Sequence, residues 1–308
     1  LDLILVDVKY LNKEWYQDKM ENEAGFLRSA ADNQVLLDTS YYRVYSIGNS
    51  EENNTSYNFN SVGGYHAAKL RLYNDIITHR LSVEEQAAIN ALQTTNSLDS
   101  AYTPTFDMLN TKYFLQKGRN QLTGQPETVG FWKNPHALGP CWFVDSLVFV
   151  KNADEEMAAI GKINPRITAV TQESFRKNIA FQPQHDSTAS ISLVKNDNDI
   201  INYTSNAASN QFAVFSEVYY EAGWKAFIDG KETPIVKVNY ILRGLSVPAG
   251  KHNIEFRFEP SGYYTGRKIT AIFSWLMIAL FAAAAFMEWK RSKQVAVKTD
   301  GPVKDITV

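Results

Sequence analysis

The spacing of apolar positions changes twice along the chain. Up to about Val170, short apolar runs at strand spacing alternate with runs at helix spacing. After Phe181 the period becomes two and helical spacing disappears. From Ile269 to Met287 the sequence is apolar without a charge.

In the first part, Ala31–Leu37 predicts a short helix and Tyr41–Ile47 a strand rich in aromatic and β-branched residues. Residues 9–30 read as an irregular linker, and Glu51–Asn58 as a polar loop. Ala67, Leu70, Tyr73 and Ile77 recur at helical spacing. Ser82 followed by Glu85 is a capping-box pattern that starts a second helix. Thr105–Leu109 predicts a short helix leading into the strand Lys112–Leu115, and Lys117–Pro126 a turn-rich loop. Strands are expected at Trp142–Val144, Leu147–Val150 and Ile167–Val170, with a helix capped by Asn152 or Asp154 between the last two.

The second part predicts strands at Ala189–Val194, Ile200–Thr204, Gln211–Tyr220, Trp224–Ile228, Pro234–Tyr240, Leu242–Val247 and His252–Phe258. Asp229-Gly230 between two of them is a strong hairpin signal. Seven or so strands separated by turns predict an antiparallel β-sandwich. The expected fold class is α+β: a mixed domain over 30–180, a sandwich over 181–262, a membrane helix over 263–289 and a tail over 290–308.

As a helix, Ile269–Met287 spans roughly 28 Å, close to a hydrocarbon core of about 30 Å. Trp289, Lys290 and Arg291 follow it as interfacial anchors, and Tyr263 and Tyr264 suit the other headgroup layer. Lys290, Arg291, Lys293 and Lys298 outnumber Arg267 and Lys268, which places the C-terminal tail in the cytoplasm and the bulk of the chain outside it. The expected location is the cytoplasmic (inner) membrane. The opening Leu1–Val8 is too short to span and is expected to be the end of a truncated membrane helix, with residues 1–29 completing the linker.

Composition narrows the partners. With 31 basic and 33 acidic residues the net charge is -2, and no basic patch interleaved with aromatics points to nucleic acid. The single Cys141 makes no internal disulfide and no cysteine cluster. His66, His79, His136, His185 and His252 share no ligand spacing, so no metal and no cofactor is expected.

Several stretches together resemble a known family. They are Val218–Lys231, including Ala222-Gly223-Trp224 and Asp229-Gly230-Lys231, then Val238–His252 and Ile254–Pro260. Gly63-Gly64-Tyr65, Leu109–Phe114, Gly139–Val144 and Asp7–Asn12 fit the same pattern. The chain resembles the YfhO family of bacterial membrane proteins. That resemblance implies a GT-C-like membrane glycosyltransferase using polyprenyl-phosphate-linked sugars, with a long multi-spanning N-terminal part that this sequence lacks. Its acidic catalytic residues are expected in that part, so none is carried over here. The resemblance implies partners in the membrane, the multi-spanning part, a polyprenyl-phosphate sugar and envelope glycan. It implies an accessory role in positioning donor or acceptor. A non-enzymatic glycan- or protein-binding envelope module, and a structural lid, are the alternatives.

Candidate sites follow from residue chemistry. Trp224 can stack on a pyranose while Asp229 accepts from its hydroxyls; the plainer reading is core packing and a turn. Asn239, Tyr240 and Arg243 can face a substrate, with Arg243 pairing to phosphate or carboxylate; the plainer reading is internal bonding. Gly63, Gly64, Tyr65 and His66 form a candidate anion-binding loop, although no phosphate-loop motif follows. A fully buried Trp224 favours the lid.

Overall fold

A computed structural model describes residues 2–299 apart from 12–15, 17, 25, 50–52, 122, 123 and 125. The first helices are α1 (Asp2–Tyr10), α2 (Lys19–Ala24) and α3 (Ala30–Val35). The expected linker therefore contains a helical turn, which the helix formers Lys19, Met20 and Glu23 favour. A capping box does start α3: Ser29 accepts from the Asp32 N–H and Asp32 accepts from the Ser29 N–H.

Next come β1 (Arg43–Ile47), α4 (Thr55–Asn58), α5 (Arg71–Ile76) and, after a π turn at Ile77–Leu81, α6 (Ser82–Thr95). The expected loop before Asn58 thus ends in a helical turn. The expected capping box at Ser82 and Glu85 does not form, because no helix starts there. The chain arrives already helical, Ser82 Oγ donates to the Thr78 carbonyl, and Glu85 accepts from the Gly48 N–H. Its neighbour Glu84 is buried instead and caps α7 (Pro104–Met108), accepting from the Thr105 N–H at 2.8 Å and the Thr105 hydroxyl at 2.6 Å.

Strands β2 (Thr111–Arg119) and β3 (Pro126–Lys133) form an antiparallel pair that shortens the expected loop between them. β1 lies parallel to β2, giving the order β1-β2-β3. β4 (Cys141–Val144) is followed by β5 (Ser146–Val150), α8 (Ala153–Ile160) and β6 (Thr168–Gln172). Parallel β5 and β6 with α8 between them make a βαβ unit. Asn152 caps α8 by accepting from the Glu155 N–H.

The remaining strands are β7 (Ser190–Asn196), β8 (Ile200–Ala207), β9 (Gln211–Val218), β10 (Trp224–Ile228), β11 (Lys231–Thr233), β12 (Val236–Val238), β13 (Leu242–Val247) and β14 (Gly250–Phe258). They build a sheet of order β11-β10-β14-β8-β7 and a second of order β12-β13-β9-β4. β4, expected in the first domain, pairs with β9 in the second sheet. The two sheets meet through aromatic rings: Phe215 of β9 lies 4.8 Å from Tyr203 of β8 and 4.9 Å from Phe256 of β14.

The architecture is a mixed α/β region, then antiparallel sheets, then one long apolar helix. A continuous core runs from Tyr45, Phe106 and Phe114 through Val144 to Phe212, Val214 and Leu242, across the expected boundary near residue 180. Residues up to Tyr220 with Lys225–Arg257 form one compact unit, and Glu221–Trp224 belongs with the C-terminal helix in a second. That helix, α9 (Ser261–Thr299), starts earlier than the apolar run alone predicts. Its stretch Ser261–Arg291 contains an 18-residue window of mean hydropathy 2.2 and is the one helix among the described residues long and apolar enough to cross a membrane.

Candidate functional site

The residues singled out by sequence fall into separate places. Trp224 is half-buried, with its ring 5.3 Å from that of Phe258. Asp229 and Gly230, at φ 49° and 80°, make the two-residue turn between β10 and β11. The Asp229 carboxylate accepts from His252 Nδ1 at 2.6 Å and from the Asn253 N–H at 2.9 Å, which holds it below the ordinary range. In the glycine loop, Tyr65 and His66 are exposed. The Gly63 N–H donates to Ser61 Oγ and the Tyr65 N–H to Asn53 Oδ1, so these two donors already have internal acceptors.

Asn239 and Tyr240 form the buried turn from β12 to β13, both in the left-handed region at φ 48° and 70°. This is why β12 ends at Val238 rather than continuing to Tyr240. The Asn239 N–H donates to the Val170 carbonyl at 2.7 Å and its Oδ1 accepts from the Val170 N–H at 2.8 Å, so one residue mimics a strand partner of β6. Glu156, fully buried on α8, accepts from the Tyr240 N–H, from Gln172 Nε2 and from Lys237 Nζ, each at 2.8 Å. Tyr240 Oη donates to Asp75 at 2.8 Å, and burial first, then this acceptor, push the phenol up to about 12. Arg243 is also buried; its Nε donates to the Val218 carbonyl, and burial pushes the guanidinium down to about 10. Asn239 Oδ1, the Tyr240 hydroxyl and Arg243 Nε thus bond inside the protein, while Asn239 Nδ2 is buried without a hydrogen-bond partner among the described residues.

Elsewhere the structure opens an accessible space. A cleft of about 1200 Å³ lies between β7, the segment Lys133–Cys141 and the segment Thr39–Tyr41. Lys112, Lys133, Lys195, Asp99 and Asn196 bring charges and amides to it. Lys112 Nζ contacts Asp38 at 2.5 Å and Ser40 Oγ at 2.8 Å, and Lys195 Nζ lies 2.6 Å from Asp197. Two amides fix the walls. Asn110 at φ 58° donates to the Tyr41 carbonyl, and buried Asn134 donates to the Thr111 carbonyl and to Asp107. Asp107, raised by burial, keeps that bond and one from Thr103.

Residues 162–270 match the family described as bacterial membrane protein YfhO. The match covers about a third of the chain and makes that stretch similar to the family. It takes in β7–β14 and the start of α9, so the YfhO-like stretch supplies one wall of the cleft, and the other two lie outside it. No curated protein and no solved structure matches the chain.

Tyr41 links the cleft to a buried charge cluster. Its hydroxyl donates to Glu217 Oε1 at 3.0 Å. Arg43 pairs with the same carboxylate at 3.1 Å and donates to the Ser216 and Leu109 carbonyls at 2.6 and 3.0 Å. Burial opposes the Arg43 charge, yet Glu217 beside it keeps the guanidinium above its ordinary value. Cys141, at the cleft wall, is buried and its thiol is pushed up to about 12, so it stays protonated at neutral pH. No group of three or more His, Cys, Asp or Glu among the described residues is placed to hold a metal ion. The cleft offers hydrogen-bond donors, acceptors and ammonium groups on rigid walls, which is the equipment for holding a polar ligand.

Sequence reading missed these residues because Tyr41, Lys133 and Lys195 are far apart in the chain and carry no motif. The positive φ at Asn110 and Gly139 (82°) shapes the walls, but only Gly139-Pro140 is visible as a turn signal.

Proposed function

We propose that this chain is the membrane-tethered, extracytoplasmic accessory part of a glycosyl-transferring system, and that its cleft positions a sugar-bearing donor or acceptor. The observation that carries this reading is the cleft itself: about 1200 Å³, walled by ammonium groups, amides and a tyrosine, in a chain that also holds a helix fit to cross a membrane. The resemblance to the YfhO family supports this reading, in which the chemistry served is transfer from a polyprenyl-phosphate carrier. Lys133 and Lys195 are the groups best suited to a phosphate or a hydroxyl cluster, and Tyr41 lines the same space. Trp224, Asp229, Asn239, Tyr240 and Arg243, with the Gly63–His66 loop, then support the scaffold rather than touch ligand.

A second reading is a protein-binding envelope module. β7 is the edge strand of the five-stranded sheet and borders the cleft, so an extended peptide could add to it. The bulge between Leu193 and Lys195 and the lysine itself guard that edge, which favours the glycan reading.

Titration of the whole chain in lipid nanodiscs with a polyprenyl-phosphate hexose and with envelope glycan fragments tests the proposal. Saturable binding that weakens at least tenfold in the double variant Lys133→Ala, Lys195→Ala supports it. Binding of extended peptides alone would replace it with the second reading.

A further inference from the structure

The outer face of the five-stranded sheet carries side chains that its fold does not require. Along β8, Ile201, Tyr203, Ser205 and Ala207 are buried, while Asn202, Thr204 and Asn206 point outward. Register places Thr204 between Ser192 of β7 and Asn253 of β14, and sets Asn206 beside Ser190 and Lys251. Asn202 faces Glu255. The result is a grid of hydroxyls and amides, with rows about 7 Å apart along the strands and strands about 4.8 Å apart.

Asparagine is disfavoured in strands, yet Asn202, Asn206 and Asn253 occupy adjacent ones. A departure from local preference of this kind marks positions kept for another purpose. Among the described residues their amide groups make no side-chain hydrogen bond, and each offers two donors and an acceptor oxygen. Two shallow hollows of about 260 and 340 Å³ lie on this face and share Thr204 and Asn253, so they join into one track. At one end the Arg257 guanidinium lies 4.7 Å over the Phe227 ring and pairs with Glu255, which holds a planar donor flat against the sheet.

Charge selects the ligand. Glu255 pairs with Arg257, Lys195 beside Asn202 pairs with Asp197, and His252 with Asp229, which leaves Lys251 at the far end, so the track has little field for an acidic polymer. Closely spaced neutral donors and acceptors match the closely spaced hydroxyls of a sugar chain. We propose that this face is a binding track for an uncharged oligosaccharide, on a surface of β7, β8 and β14 that adjoins the cleft along β7 at Ser192 and Val194. It would hold a glycan along its length while the cleft engages one end of a substrate.

The test uses the whole chain in nanodiscs on an array of neutral oligosaccharides of glucose, galactose, mannose and N-acetylhexosamines. The best binder is then taken into titration and amide hydrogen exchange. Two results are expected: protection of β8 and β14 on binding, and at least tenfold weaker affinity in the double variant Asn202→Thr, Asn253→Thr. These substitutions favour the strand and preserve folding, and Arg257→Ala gives an independent second reading of the same track. Silence across the array overturns the proposal. So does unchanged affinity in both variants, or protection confined to Lys133–Cys141.

Discussion

Two ion pairs of similar chemistry serve different ends. Glu156 and Lys237 are closed off, with side-chain exposures of 0 % and 7 %. Arg43 and Glu217, at 13 % and 12 %, sit behind Tyr41, which opens onto the cleft. The first pair has its hydrogen-bonding capacity used by Gln172 and the Tyr240 N–H, and so fixes the left-handed turn at Asn239 and Tyr240. The second ties β1 to the carbonyls around Ser216 and Leu109 and anchors the hydroxyl of Tyr41, a residue that lines the cleft. A buried charge in this protein is therefore a scaffold element unless a side chain carries its influence to an open surface.

The largest break in that comparison is Glu156→Ala. It strands the Lys237 ammonium and the Tyr240 N–H in the core, with an expected loss of about 3–5 kcal/mol. Urea unfolding of the detergent-solubilised chain followed by tryptophan fluorescence measures it; Glu156→Gln should lose clearly less. Arg43→Ala comes next, at about 2–3 kcal/mol, because Glu217 loses its cationic partner and two carbonyls lose their donor. In the ligand titration Arg43→Ala should also weaken binding in the cleft, whereas Glu156→Gln should not. A stability loss for Arg43→Ala near zero would separate the cluster from the fold.

Asn239→Ala removes the acceptor of the Val170 N–H and places a Cβ residue with poor left-handed tolerance at φ 48°. About 2 kcal/mol is expected. Asn239→Gly keeps the backbone angle accessible and should recover part of it; equal losses would mean that the hydrogen bond alone matters.

The smallest effect concerns pH. Partial burial tends to raise the Asp38 carboxyl, but bonds from Lys112, from Ser40 and from Tyr113 outweigh it and hold it well below the usual range. A folded pKa below the unfolded one, about 3.9, stabilises above that value, and the gain is lost as pH falls through and below it. Lys112→Met should lower stability at neutral pH by about 1 kcal/mol and flatten the decline between about pH 5 and 3. Melting curves across that window check it; an unchanged slope would remove Lys112 from the account.

Much of the architecture was legible because it rests on local rules. Period-two alternation gave the strands from Ser190 onward, Asp229-Gly230 its hairpin, Asn152 its cap, and the charge-free run the long helix. What escaped depends on contacts distant in sequence. β4 joins β9 because Val144 and Phe212 share a core, and no spacing shows that. The pattern at Ser82 and Glu85 was misleading because a cap has meaning only where a helix begins. Asn239, Tyr240 and Arg243 suit either a substrate or internal bonding by residue type, and the partners Glu156 and Val170 that engage the first two are remote in the chain. The cleft was illegible for the same reason: Tyr41, Lys133 and Lys195 meet only after folding.

The central claim is that the cleft, and not the buried turn, meets the ligand. Calorimetric titration of the whole chain in nanodiscs with a polyprenyl-phosphate hexose and envelope glycan fragments tests it most directly. The prediction is saturable binding to one of them, at least tenfold weaker in the double variant Lys133→Ala, Lys195→Ala and unchanged in Asn239→Gly. Binding that survives the lysine double variant, or no binding by the folded chain to any of these ligands, would contradict it.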